Sequence, residues 1–214
     1  MKTASVQYEW VRIFIAVAAT SFFSYLMLRI TLPYLSFEID TDFLVTKQSI
    51  IHIKHWRYAF YTHVCTSTFV LFLGIFQFIH RIIYGYKRLH RYIGLTYLII
   101  VVCLSGPSGL IMGYYANGGI YARISFVTLS LLWMAFTAWA YIKVLRRDIE
   151  THKAYMLRSY ALTLSAVTLR SYAFILPVFV HMNGRDEYIM IAWLSWVPNL
   201  IIAEILIRKK WMTI

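Results

Sequence analysis

Arg170 is the residue whose placement most demands a chemical explanation. It lies inside an apolar stretch, twelve positions after Arg158 and ten before Val180. At helical rise that is roughly 18 Å from one and 15 Å from the other, too deep for the side chain to snorkel to water. A guanidinium at that depth costs at least about 2.5 kcal/mol on insertion scales, so it requires an anion, backbone carbonyls or a wet cavity. Ser105-Gly106-Pro107-Ser108-Gly109, with Gly113 following, lies at a matching depth in another stretch. Pro107 has no N–H to give, which frees the Cys103 carbonyl and predicts a kink, while the glycines admit a close neighbour or a flat ligand. Ser105 and Ser108 add hydroxyls there. Close helix packing explains the small residues equally well, and Arg170 could instead serve a broken helix.

Histidines supply the other chemistry. His63 falls about 9 Å inside one boundary of its stretch. His90 and His152 each open a stretch at the opposite boundary, His80 is near them, and His181 closes a stretch on His63's side. Bis-histidine haem needs two imidazoles facing each other at one depth. His90 with His152 meets the depth condition, and His63 with His181 meets it loosely. Headgroup contacts and helix capping are the plain alternative. His52-x-x-His55 has no third ligand fixed by spacing, so it makes a weak zinc or copper motif. Arg158 and Glu204, one turn inside the same boundary, form a structural ion pair, and Asn199 beside Pro198 is interhelical hydrogen-bonding glue.

The elements that must carry these residues are six apolar runs: Val11–Leu32, Tyr58–Ile79, Tyr92–Tyr114, Ile120–Ile142, Ala154–Val180 and Tyr188–Ile207. Each approaches the roughly 20 residues that cross a bilayer as a helix, and none alternates as a barrel strand would. The chain is 60% hydrophobic and 14% charged over 214 residues, against closer to 45–50% and about 25% in soluble domains. The expected fold is an all-α bundle of about six transmembrane helices forming one domain over 1–214. Connections are short except Pro33–Arg57, which is long enough for a small cap. The first run is long and lacks a cleavage pattern, so it reads as a helix and not a signal peptide. Cys65 and Cys103 read as reduced core residues.

Net charge is +12. The cations sit in gaps between apolar runs, which fits membrane orientation and not nucleic acid. Lys2, Arg12, Arg81, Lys87, Arg88, Arg91, Lys143, Arg146, Arg147, Lys153, Arg158, Arg208, Lys209 and Lys210 fall on one side. Only Arg29, Lys47, Lys54, Arg57, Arg123 and Arg185 fall on the other. The positive-inside rule then puts both termini in the cytoplasm of a cell-membrane protein. Nucleotide, metalloprotease and serine-hydrolase signatures are missing.

His63, Gln77, His90-Arg91 with Gly94, Ser105-Gly106 with Gly109, His152-Lys153 with Met156 and Arg158, Arg170, Trp196, Asn199 and Glu204 together resemble a bacterial family of predicted membrane proteins, domain of unknown function 2306. The likeness covers about residues 58–207. Members show His-Arg where this chain has His152-Lys153, and Trp at Tyr155. The resemblance implies a compact helical membrane domain and transfers no activity. A looser similarity in layout to cytochrome b bundles licenses no function.

The leading expectation is a haem- or quinone-linked redox membrane protein. In it His63, His90, His152 and His181 are the candidate haem b ligands, and Arg170 neutralises a propionate or polarises a quinone oxygen. The alternatives are a small transporter, or a protein binding a small hydrophobic or anionic ligand without redox chemistry, or a structural subunit of a larger complex. Enzyme status and oligomeric state stay open.

Overall fold

The computed structural model describes residues 2–209, with side chains for 14–15, 17–79 and 83–209. Lys2, Arg12, His80, Arg81 and Lys210, used in the reading above, have side chains outside that set. Every regular element among the described residues is a helix. Helix α1 spans Lys2–Thr31 and ends at Pro33, where two 3-10 turns, Leu32–Ser36 and Asp42–Lys47, build a cap. Next come α2 (Lys54–Phe76), the short α3 (His80–Gly85) and α4 (Lys87–Ile99). A π-helical turn, Ile100–Ser105, carries α4 into α5 (Gly106–Tyr114). Then follow α6 (Ile120–Leu145), α7 (Ile149–Thr163), α8 (Ser165–Phe179), α9 (Gly184–Leu194) and α10 (Val197–Arg208).

Five rods are long and apolar enough to cross a bilayer: Lys54–Phe76, Lys87–Tyr114, Ile120–Leu145, Ile149–Phe179 and Gly184–Arg208. With the 30-residue α1 they make five to six candidate spans among the described residues, where about six were expected. Most rods outrun the apolar runs read from sequence, because helical geometry continues through flanking Lys, Arg and Tyr. Phe72, Ile124, Leu131, Ile201 and Phe179 are exposed on the outside of the bundle. A soluble protein would hide such side chains, whereas lipid solvates them. One face of the bundle carries the 32–53 cap, here the cap face. The opposite face carries Lys87, Arg88, Arg91, Lys143, Arg146 and Arg147, here the basic face.

Helix α6 lies between α5 and α7. Close approach is licensed by missing side chains. A Cβ on Gly106 would stand 2.3 Å from Met134 Cγ, and one on Gly113 3.0 Å from Phe126 Cβ. Gly74 likewise makes room for the Tyr160 ring. Tight packing therefore does account for most of the glycines, one of the two explanations left open. Deeper in, Tyr97 Oη lies 2.9 Å from Ser159 Oγ and 2.8 Å from Thr163 Oγ1. Trp133 Nε1 donates to Thr163 Oγ1 at 3.0 Å, and Thr137 Oγ1 lies 2.7 Å from Ser159 Oγ. The cluster satisfies its own hydroxyls, as hydrocarbon surroundings demand.

Three rods are interrupted. At Pro107 the helix inserts one π turn, with Gly106 N–H bonding to the Val101 carbonyl. The fifth run breaks at Leu164, and the sixth at Ser195-Trp196 ahead of Pro198. Those last two breaks are stitched together. Thr168 Oγ1 donates to the Ser195 carbonyl, and Asn199 Nδ2 reaches Ala161 O at 3.3 Å, Thr168 Oγ1 at 3.1 Å and Ser195 O at 3.2 Å. Asn199 is thus the glue expected of it. Cys103 is exposed on the rod surface, which corrects its reading as a core residue; Cys65 is half-buried, and both thiols are free.

Candidate functional site

His63, Ser105 and Arg170 share one depth. Lys54 to His63, Ser105 to Tyr114, and Arg170 to Phe179 are each nine residues, or roughly 14 Å from the cap-face end of each rod. The π turn decides what happens there. Its Ser105 carbonyl takes His63 Nδ1 at 2.8 Å and the Ser108 hydroxyl at 3.1 Å. A carbonyl only accepts, so Nδ1 carries the proton, and in the neutral ring Nε2 keeps its lone pair. Thr66 Oγ1 meets Ser105 Oγ at 2.6 Å and holds the turn from the same α2 face. Gly109 supplies the space: a Cβ there would lie 3.0 Å from His63 Cε1.

Arg170 completes this level from α8. Its guanidinium interacts electrostatically with His63 and with Tyr34 of the cap. Among the described residues it makes no hydrogen bond and no ion pair. Tyr34 Oη accepts from Phe43 N at 3.3 Å, so its own proton is available toward the site. Arg158 behaves differently. It grips Glu204 with Nε to Oε1 at 2.5 Å and Nη2 to Oε2 at 2.9 Å, and lies over the Tyr155 ring at 5.1 Å.

The basic-face histidines form a second level. His90 and His152 are each three residues inside their helices and interact electrostatically. His152 Nδ1 donates to Ala140 O at 2.8 Å, repeating the His63 arrangement. Among the described residues, His90 Nδ1 is buried with no partner, as is Nε2 of Gln77, whose Oε1 lies against Gly94 one turn along α4. Equal depth of His90 and His152, read from the sequence, holds. His181 is two residues beyond α8 and exposed, so it does not share the depth of His63. His52 is exposed and His55 Nε2 meets Tyr115 Oη at 3.0 Å. Among the described residues, no three His, Cys, Asp or Glu side chains converge on a metal site.

Sequence reasoning passed over Tyr34 and Lys47 because both lie in the cap, where periodicity says little. Lys47 is only 2% exposed, and its Nζ donates to Tyr115 O and Asn117 Oδ1, each at 2.7 Å. Burial, with the Arg123 charge adding to it, pulls its amine down to about 8. The Tyr97 cluster did leave a trace: Trp133/Thr137 and Ser159/Thr163 are paired at i, i+4 inside apolar runs.

A family model described as predicted membrane protein (DUF2306) matches residues 60–207. No curated protein and no solved structure matches the chain.

Proposed function

The chain belongs to the DUF2306 family of predicted membrane proteins, and from that premise we propose that it binds an anionic ligand at mid-membrane depth through Arg170. The observation that carries this reading is the guanidinium itself. It lies within electrostatic reach of His63 and Tyr34 and makes no hydrogen bond or ion pair among the described residues. A cation placed there at several kcal/mol cost is stabilised by whatever anion occupies the site. Interrupted helices at the bilayer midplane commonly line substrate sites, and three of the rods here are interrupted. The excess of cations on the basic face supports a cytoplasmic location for that face and both termini. The test is thermal unfolding of the purified protein with carboxylate and phosphate anions. The wild type should be stabilised in a concentration-dependent way and Arg170→Gln should not. Equal melting behaviour in the two proteins counts against the reading.

A haem-linked redox role is the second reading, favoured by one observation. His63 and His152 each give Nδ1–H to a backbone carbonyl and keep Nε2 bare, the orientation that metal-bound imidazoles adopt. They lie at opposite levels, so His90 would be the partner of His152 on one iron. A Soret band that shifts on dithionite reduction supports this. A colourless preparation from haem-replete cells, with no reconstitution, rejects it.

A further inference from the structure

We infer that the ligand of Arg170 is a long-chain carboxylate that enters from the bilayer. This rests on the anion reading above and adds the tail. Val167 is the last buried residue of α8, packed with Met27 of α1 and Leu71 of α2. Arg170 follows one turn later, and from there to Phe179 no α8 side chain is buried. Helix α8 itself packs against α7 and α9. Its cap-side half therefore stands away from α1 and α2, and Arg170 marks the floor of the fork. Phe174, Ile175, Val178 and Phe179 along α8 are exposed apolar side chains, Phe179 at 77%.

Packed clusters stand on both sides of the Arg170 level. Toward the cap face, Tyr34, Leu44, Ile51, Trp56 and Phe60 form a packed cluster, fastened to the α5–α6 connection by Lys47. Toward the basic face, the Tyr97, Ser159 and Thr163 hydroxyls bond one another, and the Tyr160 ring fills the space above Gly74. A ligand reaching the fork comes sideways, through lipid, and must be apolar along most of its length. Its head is set by charge and shape. One guanidinium balances one negative charge, and its fork takes both oxygens of a carboxylate in parallel. The Tyr34 proton offers a third hydrogen bond.

The experiment uses the full chain in zwitterionic nanodiscs with diazirine-bearing palmitate, mapped by mass spectrometry. Labels should fall on Tyr172–Phe179 and be competed by palmitate, but not by methyl palmitate, and by acetate only at far higher concentration. Arg170→Gln should cut labelling by about tenfold or more, and Arg170→Lys should retain part of it. Competition by the methyl ester equal to that by the acid overturns the inference, and needs no variant to fold. Undiminished labelling of a folded Arg170→Gln overturns it too. If acetate stabilises the wild type through Arg170 while palmitate leaves no label, the anion site stands and the amphiphile does not. If neither acts, both fall. A dimer whose α8 is shielded from the probe shows a second copy on this face, and equally overturns the inference.

Discussion

Arg158 and Glu204 join α7 to α10 by two parallel hydrogen bonds, both charges lying about one turn inside the basic face. Their side chains are 20% and 37% exposed, so solvent and headgroups screen part of the attraction. Glu204→Ala leaves the guanidinium with aromatic neighbours alone, Tyr155 and Phe136. A loss of about 1–3 kcal/mol is expected, seen as a lower midpoint in thermal unfolding. Pairing it with Arg158→Met should restore much of the loss, because the stranded charge is removed. A double variant no better than Glu204→Ala would show that the pair does more than neutralise itself.

The glycines give a rank order. At Gly106 a Cβ meets Met134 and also the Val101 backbone carbonyl at 2.5 Å, and backbone cannot swing aside. At Gly109 it meets the His63 ring at 3.0 Å, which can tilt but only by stretching its bond to Ser105. At Gly184, in the first turn of α9, nothing lies within 4 Å. Alanine should therefore cost about 1–3 kcal/mol at Gly106, less at Gly109, and be neutral or stabilising at Gly184, where it favours the helix. Thermal midpoints of the three variants check the order.

Much of this architecture was legible in advance, for a physical reason. Lipid removes the ambiguity between core and surface, so twenty apolar residues announce a span and a lone Arg170 announces a problem. Arg158 with Glu204, and Asn199, could be placed because antiparallel neighbours at equal depth must meet. His63 and His181 could not be separated, because an apolar run does not reveal where its helix frays; His181 lies beyond the end of α8. Pro107 predicts a kink where the backbone forms a π turn, because proline tells which carbonyl is freed and not how the backbone reabsorbs it. The contacts of cap residues Tyr34 and Lys47 are not legible in the sequence because no periodicity marks the 3-10 turns that carry them.

The hydroxyl cluster around Thr163 tests how much polar bonding matters inside lipid. Thr163 receives the Trp133 indole N–H and bonds the Tyr97 phenol. Thr163→Val keeps the shape, strands the Trp133 indole and leaves the Tyr97 phenol with Ser159 alone. Interhelical bonds of this kind average about 0.6 kcal/mol, reaching roughly 1.7, so a loss of about 1–2 kcal/mol is expected. Tyr97→Phe should cost less, since Ser159 keeps Thr137 and Thr163 keeps Trp133. The reverse order would mean that the phenol, not the threonine, organises the cluster.

Lys47 makes the sharpest pH prediction. Its amine titrates at about 8 in the folded protein against an ordinary 10.5, because burial penalises its charged form. Between those values the unfolded chain holds a proton that the folded chain has shed, so stability rises with pH through that window and levels off above it. Below pH 8 both states are charged and the full burial penalty is felt. The neutral amine still has two N–H groups for Tyr115 O and Asn117 Oδ1, so the latch survives deprotonation. Lys47→Met removes the proton linkage together with both hydrogen bonds. The variant should melt below wild type at pH 10, by more than at pH 7, because at neutral pH it also escapes the cost of burying a charge. Melting curves taken from pH 7 to 10 decide it: parallel curves for the two proteins would mean that Lys47 titrates normally and that its amine is hydrated in the folded state.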